Sequence, residues 1–339
     1  MKLSVLDLAA VSTGMTNAEA LAQTIATARV ADELGYERFW VAEHHGMPAV
    51  ASSAPAVLIG AIAAATQRIR AGSGGVMLPN HSSLVIAEQF GTLVALHGDR
   101  IDLGLGRAAG TDQLTSSVLR RNVGIETVDD FPQQVIELLA WFGAIEPLDS
   151  GIGSHVVATP GAGDLPQLWL LGSSTFSAQL AGMLGLPFAF AHHFAGGETT
   201  PVAFQTYRDS FTPSAILAEP HAMIAVATLV SDDAERLSLA NSLMMLRMRS
   251  GRRPETVPTQ AEADAYEWTD AELAFTRERN AQQAVGTLAH VRQRLDDLLA
   301  LSQAQEIIVV PQGPDLATKL ATLRALAPHP VGELPQTVG

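Results

Sequence analysis

Along this chain, short apolar runs alternate with longer stretches whose apolar positions fall three and four residues apart. The runs at 3–8, 38–42, 69–78, 100–105, 168–171, 187–191, 222–230 and 306–310 predict eight strands. Between the first two, Leu21, Ile25, Ala28 and Leu34 keep helical spacing. Thr16 with Glu19 three residues on forms a capping-box pattern at the start of that helix, and Gly35 ends it. An alanine-rich helix is predicted over 55–66. Another follows the 80–83 turn, with Ile86, Phe90, Leu93 and Val94 on its apolar face as far as His97. Further helices are predicted over 131–142, 176–184, 232–249 and 316–326. Strand and helix alternating to a count of eight predict an α/β fold, a closed parallel (β/α)8 TIM-type barrel as one domain. An open doubly wound sheet is the second reading.

Two stretches interrupt this rhythm. Residues 145–166 are rich in Gly, Pro, Asp and Ser and read as an excursion. Residues 251–287 are long, polar and charged, including Arg252, Arg253, Glu255, Asp264, Arg277 and Arg279. A connection of that length inside one domain is expected to be a mobile lid or insertion at a barrel rim, or else a disordered segment.

Composition narrows the chemistry. With 339 residues, 47% of them hydrophobic, the chain has enough apolar material for one large core. No uninterrupted apolar run approaches the roughly 20 residues that a membrane helix needs. The opening MKLSVLDLAAVSTGM reads as a first strand rather than a leader, so a cytoplasmic location is expected. The absence of cysteine excludes disulfides, thiolate metal sites and a thiol nucleophile. A net charge of −14 argues against nucleic acid or an anionic membrane as partner. Lys2 and Lys319 are the only lysines, so neither Schiff-base chemistry nor a lysine-dependent sugar-phosphate aldolase has a well-placed residue. An anionic ligand must be met by arginine or by backbone N–H groups.

A parallel barrel carries its ligand where strands end, so those positions hold the candidates. The second strand runs into Glu43, His44, His45 and Gly46. Neighbouring residues on an extended segment point to opposite sides, so His44 and His45 would chelate one ion poorly, and no metal is expected. Either one ring faces the mouth to exchange a proton, or both are solvated. The third strand contains Gly72, Gly74 and Gly75, which signal crowding in the barrel or the close approach of a flat ligand. The fourth ends in Gly104, Gly106 and Arg107, the last an anion contact or a rim ion pair. The fifth opens directly into a helix through Gly172, Ser173, Ser174 and Ser177. One serine suffices for a cap, and the surplus hydroxyls with the free N–H groups of the first turn suit an anion. After the sixth come His192 and His193, one of which lines the mouth or neither does. Arg107 with Ser173, Ser174 and Ser177 makes a phosphate clamp, and spacing alone supports only some phosphorylated ligand.

Five segments in this order and spacing carry a resemblance: FWVAEHH (39–45), GSGGVMLPNHSSLVIAEQFGTL (72–93), RIDLGLGRA (100–108), LLGSSTFSAQLAGMLGLPFAF (170–190) and VGTLAHVRQRLDDL (285–298). The chain resembles the luciferase-like monooxygenase superfamily, in the FMN-dependent branch related to bacterial luciferase and the subgroup similar to the mensacarcin-pathway oxygenase. The resemblance spans nearly the whole chain. It implies reduced FMN as a cosubstrate delivered by a separate flavin reductase, and O2 activated as a C4a-peroxyflavin to oxidise a small organic substrate. It also implies a homodimer built on the helices after the second and third strands. By resemblance, Arg107, Ser174 and Ser177 hold the flavin phosphate, and Ser173 stands where bacterial luciferase has an acidic residue. Gly74–Gly75 matches a non-prolyl cis peptide beneath the flavin ring, and His44 matches a catalytic histidine. Gly106 stands where luciferase has a reactive cysteine, so light emission is not carried over. The superfamily also contains F420-dependent oxidoreductases and flavin-binding members without activity, which are the alternative readings. No GxGxxG follows a strand, so a nicotinamide site is not expected.

Overall fold

The eight expected strands are all present, and a ninth joins them. The computed structural model describes residues 1–119, 130–146, 156–251 and 254–328. Its strands are β1 (Lys2–Asp7), β2 (Arg38–Val41), β3 (Arg70–Met77), β4 (Ile101–Gly106), β5 (Gln167–Gly172), β6 (Phe188–Phe190), β7 (Ala222–Val230), β8 (Ala284–Gly286) and β9 (Glu306–Pro311). Every pairing is parallel. Strands β1 to β6 pair in sequence, β6 pairs β7, β7 pairs β9 and β9 pairs β1, closing a ring of eight. The chain is a (β/α)8 barrel, and the open-sheet reading is excluded by the β6–β7 pairing. Strand β8 lies outside the ring, joined only to Thr228–Val230 at the end of β7. Three residues are too few for a readable alternation, which is why sequence reasoning missed it.

The period of two decides which side chains fill the barrel. On β2, Phe39 and Val41 point outward into the large core shared with the helices, while Trp40 points inward. On β9, Ile307 and Val309 point outward, and Ile308 and Val310 inward. The inner cluster contains Leu6, Trp40, Trp169, Met223 and Ile308, with Trp40 and Trp169 edge to face at 5.6 Å.

The amino end of the barrel is closed by charge. Arg38 at the start of β2 places Nη1 2.8 Å from Asp102 and Nε 3.0 Å from Glu306. Arg70 Nε donates to Asp102 at 2.7 Å, Trp40 Nε1 donates to the same carboxylate at 2.9 Å, and the Ser4 hydroxyl donates to Glu306. Asp102 and Glu306 are fully buried, and each is surrounded by donors, as buried carboxylates must be. With this end sealed, the opposite end is left for a ligand.

Within 251–287, the described residues carry secondary structure of their own. They hold helices Gln260–Ala265 and Asp270–Gln282, each opened by a capping box, Thr259 with Glu262 and Thr269 with Glu272. Ala263 and Trp268 pack on Ala240 and Leu243 of the helix Leu239–Arg249. Val257 exchanges backbone hydrogen bonds with Val11 and Thr13, which fastens the segment over the carboxyl end of β1. Arg252 and Arg253, and residues 147–155 of the expected excursion, lie outside the described residues. Among the described residues, no helix is long and apolar enough to cross a membrane.

Candidate active site

At the carboxyl end of the strands lies a cavity of about 220 Å³. His44, Gly74, Gly75, Arg107, Ser173, Ser174 and Ser177 all line it, although they come from three separate βα connections and from β3 itself. Its walls are otherwise apolar, with Trp40, Met77, Leu171 and Phe190 prominent.

One rim of the cavity is cationic and rich in donors. Ser174 is the N-cap of the helix Thr175–Met183, yet its side chain makes no capping hydrogen bond. Ser173 and Ser174 are exposed, and Ser177 is buried behind them. The hydroxyl and the first-turn N–H groups therefore point to a site with no protein acceptor, an arrangement suited to an anion. Arg107 faces this helix start, its Cζ 4.1 Å from the Phe176 ring centroid. It has no hydrogen bond or ion pair among the described residues, so its guanidinium edge stays available. Gly172 makes the approach of helix and strand feasible. A Cβ there would sit 2.5 Å from Ser177 Cβ.

The opposite wall is built on β3 and β4. The Gly74–Gly75 peptide is cis, and the register of β3 against β4 shifts between Gly74 and Val76. Crowding accounts for part of this glycine pattern. A Cβ on Gly74 would meet Leu6 at 2.7 Å, and one on Gly75 would meet the Gly104 carbonyl at 2.8 Å. The same substitutions would also fill the face that both glycines present to the cavity.

His44 is the imidazole that the second connection gives to the cavity. Its Nδ1 donates to the Gly110 carbonyl at 3.1 Å, which leaves Nε2 to exchange a proton. Burial pushes its pKa below the ordinary histidine value, against the opposing pull of that carbonyl, so the neutral ring prevails at pH 7. His45 turns away. It donates to Glu43 Oε1 at 2.7 Å, and His81 donates to the same oxygen at 2.8 Å. Burial pushes the Glu43 carboxyl up, but donors on His81, His45 and the Met77 N–H outweigh it and hold it below the usual range. Glu43, His45 and His81 offer ligand atoms within 4.8 Å of one another, a spacing a metal ion would accept. Both ring nitrogens already share one carboxylate oxygen, and the cluster acts as a brace between the β2 and β3 connections.

Of the β6 histidines, His192 is structural, hydrogen-bonded to Thr200 at 2.7 Å and to the Gln282 carbonyl at 2.8 Å. His193 lines the cavity, and burial pushes its pKa down to about 4. A second cavity of about 150 Å³ adjoins the first and shares Leu6, Leu8, His193 and Phe194 with it. It is lined by Met244, Met245, Arg279 and Lys319, none of which was singled out from the sequence as a site residue. Lys319 gained its place because the last helix, Leu316–Leu326, begins at the carboxyl end of β9. Phe176, Glu43 and His81 were missed for a related reason. Only their position beside Arg107 or His45 marks them.

The profile of the luciferase-like monooxygenase family matches residues 1–304. The Bacillus subtilis protein YvbT is 47% identical over 96% of this chain and 95% of its own. A luciferase-like monooxygenase of Escherichia coli K12 is 45% identical over 90% of each chain. The crystal structure of apo-MsnO8 superposes with a TM-score of 0.85 at 38% identity, covering 96% of both chains. With a matching barrel, matching sequence and near-complete coverage, the chain belongs to the luciferase-like monooxygenase family.

Proposed function

We infer that this protein is an FMN-dependent monooxygenase that receives reduced FMN from a separate flavin reductase and uses O2 to oxidise a small organic substrate. The observation that carries the reading is the rim formed by Arg107 and the uncapped Ser174. It joins an unpaired guanidinium to a helix start with free donors, beside an apolar slot with glycine on one wall. Those residues fit FMN. Arg107, Ser173, Ser174 and Ser177 would hold its phosphate, and Gly74 and Gly75 would admit a flat ring system. Bound reduced flavin supplies the electrons that activate O2, and that chemistry belongs to the cofactor.

The protein's own contribution is placement, dryness and proton handling. Trp40, Met77 and Leu171 exclude water from the slot, which protects a reactive oxygen species from premature release. His44, neutral and with Nδ1 fixed on Gly110, gives or takes a proton at Nε2. A homodimer through the helices Pro55–Ala65 and Ser83–His97 is consistent with Val57 and Leu96, which stand 76% and 70% exposed on them.

Equilibrium titration of the protein with reduced FMN, riboflavin and reduced F420 tests the reading. FMN should bind best, and Arg107→Ala should abolish its advantage over riboflavin. Tight F420 binding with no FMN binding would replace the cofactor. Flavin binding without oxygen incorporation from 18O2 into any of a panel of organic substrates would make the protein a flavin carrier.

A further inference from the structure

The second cavity is lined by two cations, Arg279 and Lys319, that form no ion pair among the described residues. Arg279, on the helix Asp270–Gln282, is partly buried and lines this cavity. Among the described residues, its guanidinium has no hydrogen bond and no ion pair. Burial alone pushes its pKa down, with no neighbouring carboxylate to offset it. A guanidinium remains charged at physiological pH, so the site holds a cation without a direct partner in a partly dry place. Lys319 lines the same cavity, also without an ion pair among the described residues.

Neither of the two lining carboxylates, Asp7 and Asp315, pairs with Arg279 or Lys319 among the described residues, and each is fixed through Oδ1. Asp7 is buried and accepts from the Ala9 N–H at 2.7 Å and the Thr24 hydroxyl at 2.8 Å. Asp315 caps the helix Leu316–Leu326 by accepting from the Thr318 N–H at 2.8 Å. The remaining wall is largely apolar, with Met244, Met245, Val50 and Val310. At this helix start Asp315 takes the Thr318 N–H and sets a negative charge where a phosphate would have to sit. Two side-chain cations in an apolar pocket suit a single carboxylate at the end of a hydrocarbon body, which a guanidinium grips through two parallel hydrogen bonds.

The cavity is also in the right place. It meets the first cavity at Leu6, Leu8, His193 and Phe194, so the two share a wall. We propose that the second cavity seats the organic substrate and takes a small apolar molecule bearing one carboxylate, with Arg279 and Lys319 as its anion contacts. The proposal rests on the reading of the first cavity as the flavin site, since it places the apolar end of the substrate towards that cavity.

The test uses the full chain, with hexanoate and its neutral analogue hexanamide as probes and FMN titrated in parallel. Hexanoate should bind more tightly than hexanamide. Arg279→Gln should weaken hexanoate by about tenfold or more, as loss of a charge-assisted contact does, and leave hexanamide and FMN within about twofold. Arg279→Lys should restore part of the loss, and Lys319→Gln should weaken hexanoate alone by a smaller factor. Unchanged FMN binding also shows that the variants are folded. Equal affinity for the two probes, no saturable hexanoate binding, or hexanoate affinity insensitive to both variants would overturn the proposal. Hexanoate binding that depends on Arg107 rather than Arg279 would overturn it too, by placing the anion in the first cavity. Failure of FMN to bind while hexanoate still required Arg279 would sink the flavin reading and leave the anion site standing.

Discussion

The Arg107 guanidinium lies flat enough on Phe176 for its Cζ to stand 4.1 Å from the ring centroid. The aromatic face holds the cation against the start of the helix Thr175–Met183 while leaving its N–H edge open. Arg107→Ala should weaken FMN by about 10- to 100-fold, because a charge-assisted contact to phosphate is lost. Phe176→Leu should cost only about two- to fourfold, the share of the platform. Riboflavin, which lacks the phosphate, should be insensitive to both. Fluorescence titration of the two flavins checks each expectation.

Gly172→Ala should disturb the same rim from beneath. Its new methyl would lie 2.7 Å from the Ser177 hydroxyl, so helix and strand must separate. Overpacking of this kind costs about 1–3 kcal/mol. The expected result is a lower urea midpoint together with weaker FMN binding, whereas Gly98→Ala, strained by its φ of +68° but away from the cavity, should lower the midpoint and leave FMN binding intact.

The histidines make stability depend on acidity. Burial holds His193 at about 4, against an ordinary value of 6.5, and lowers His44 and His192 as well. Above pH 6.5 both folded and unfolded states carry neutral rings, and the full stability is present. As pH falls towards 4, the unfolded chain takes up protons that native His193 refuses, so stability is lost. For His193 alone the loss is on the order of 2–4 kcal/mol. Urea unfolding across that window should show the decline, and His193→Gln should make it shallower.

His44 should leave its own mark on turnover. Its lowered pKa means that the neutral ring dominates at pH 7, so an acidic limb in kcat/KM should appear below the ordinary histidine value. His44→Gln should remove that limb and depress coupled oxidation while FMN binding persists. A limb unchanged in the variant would assign it to another group.

Arg38→Met should be the most damaging of these changes to the fold. It would leave the buried carboxylates of Asp102 and Glu306 without their shared cation. Breaking a buried pair costs about 3–5 kcal/mol. Chemical denaturation measures it.

The sequence by itself determined the eight barrel strands, the first helix with its Thr16 capping box, and which end of the barrel gathers the candidate residues. Those properties are local. A strand's alternation, a cap's spacing and a glycine or serine run at a strand end are written within a few consecutive residues. It also placed Arg107, His44 and Ser174 in candidate positions, because each stands just after a strand. Tertiary structure alone decided the rest. Closure through β6 and β7 brought three distant connections and the glycines of β3 around one cavity, and it turned Glu43 into a brace to His81, 38 positions away. It also set Arg279 and Lys319 along one pocket, although a helix spacing says nothing about which barrel rim the helix will reach. Charge compensation is a property of space rather than of spacing, so an arginine without a partner becomes visible only when the chain is folded.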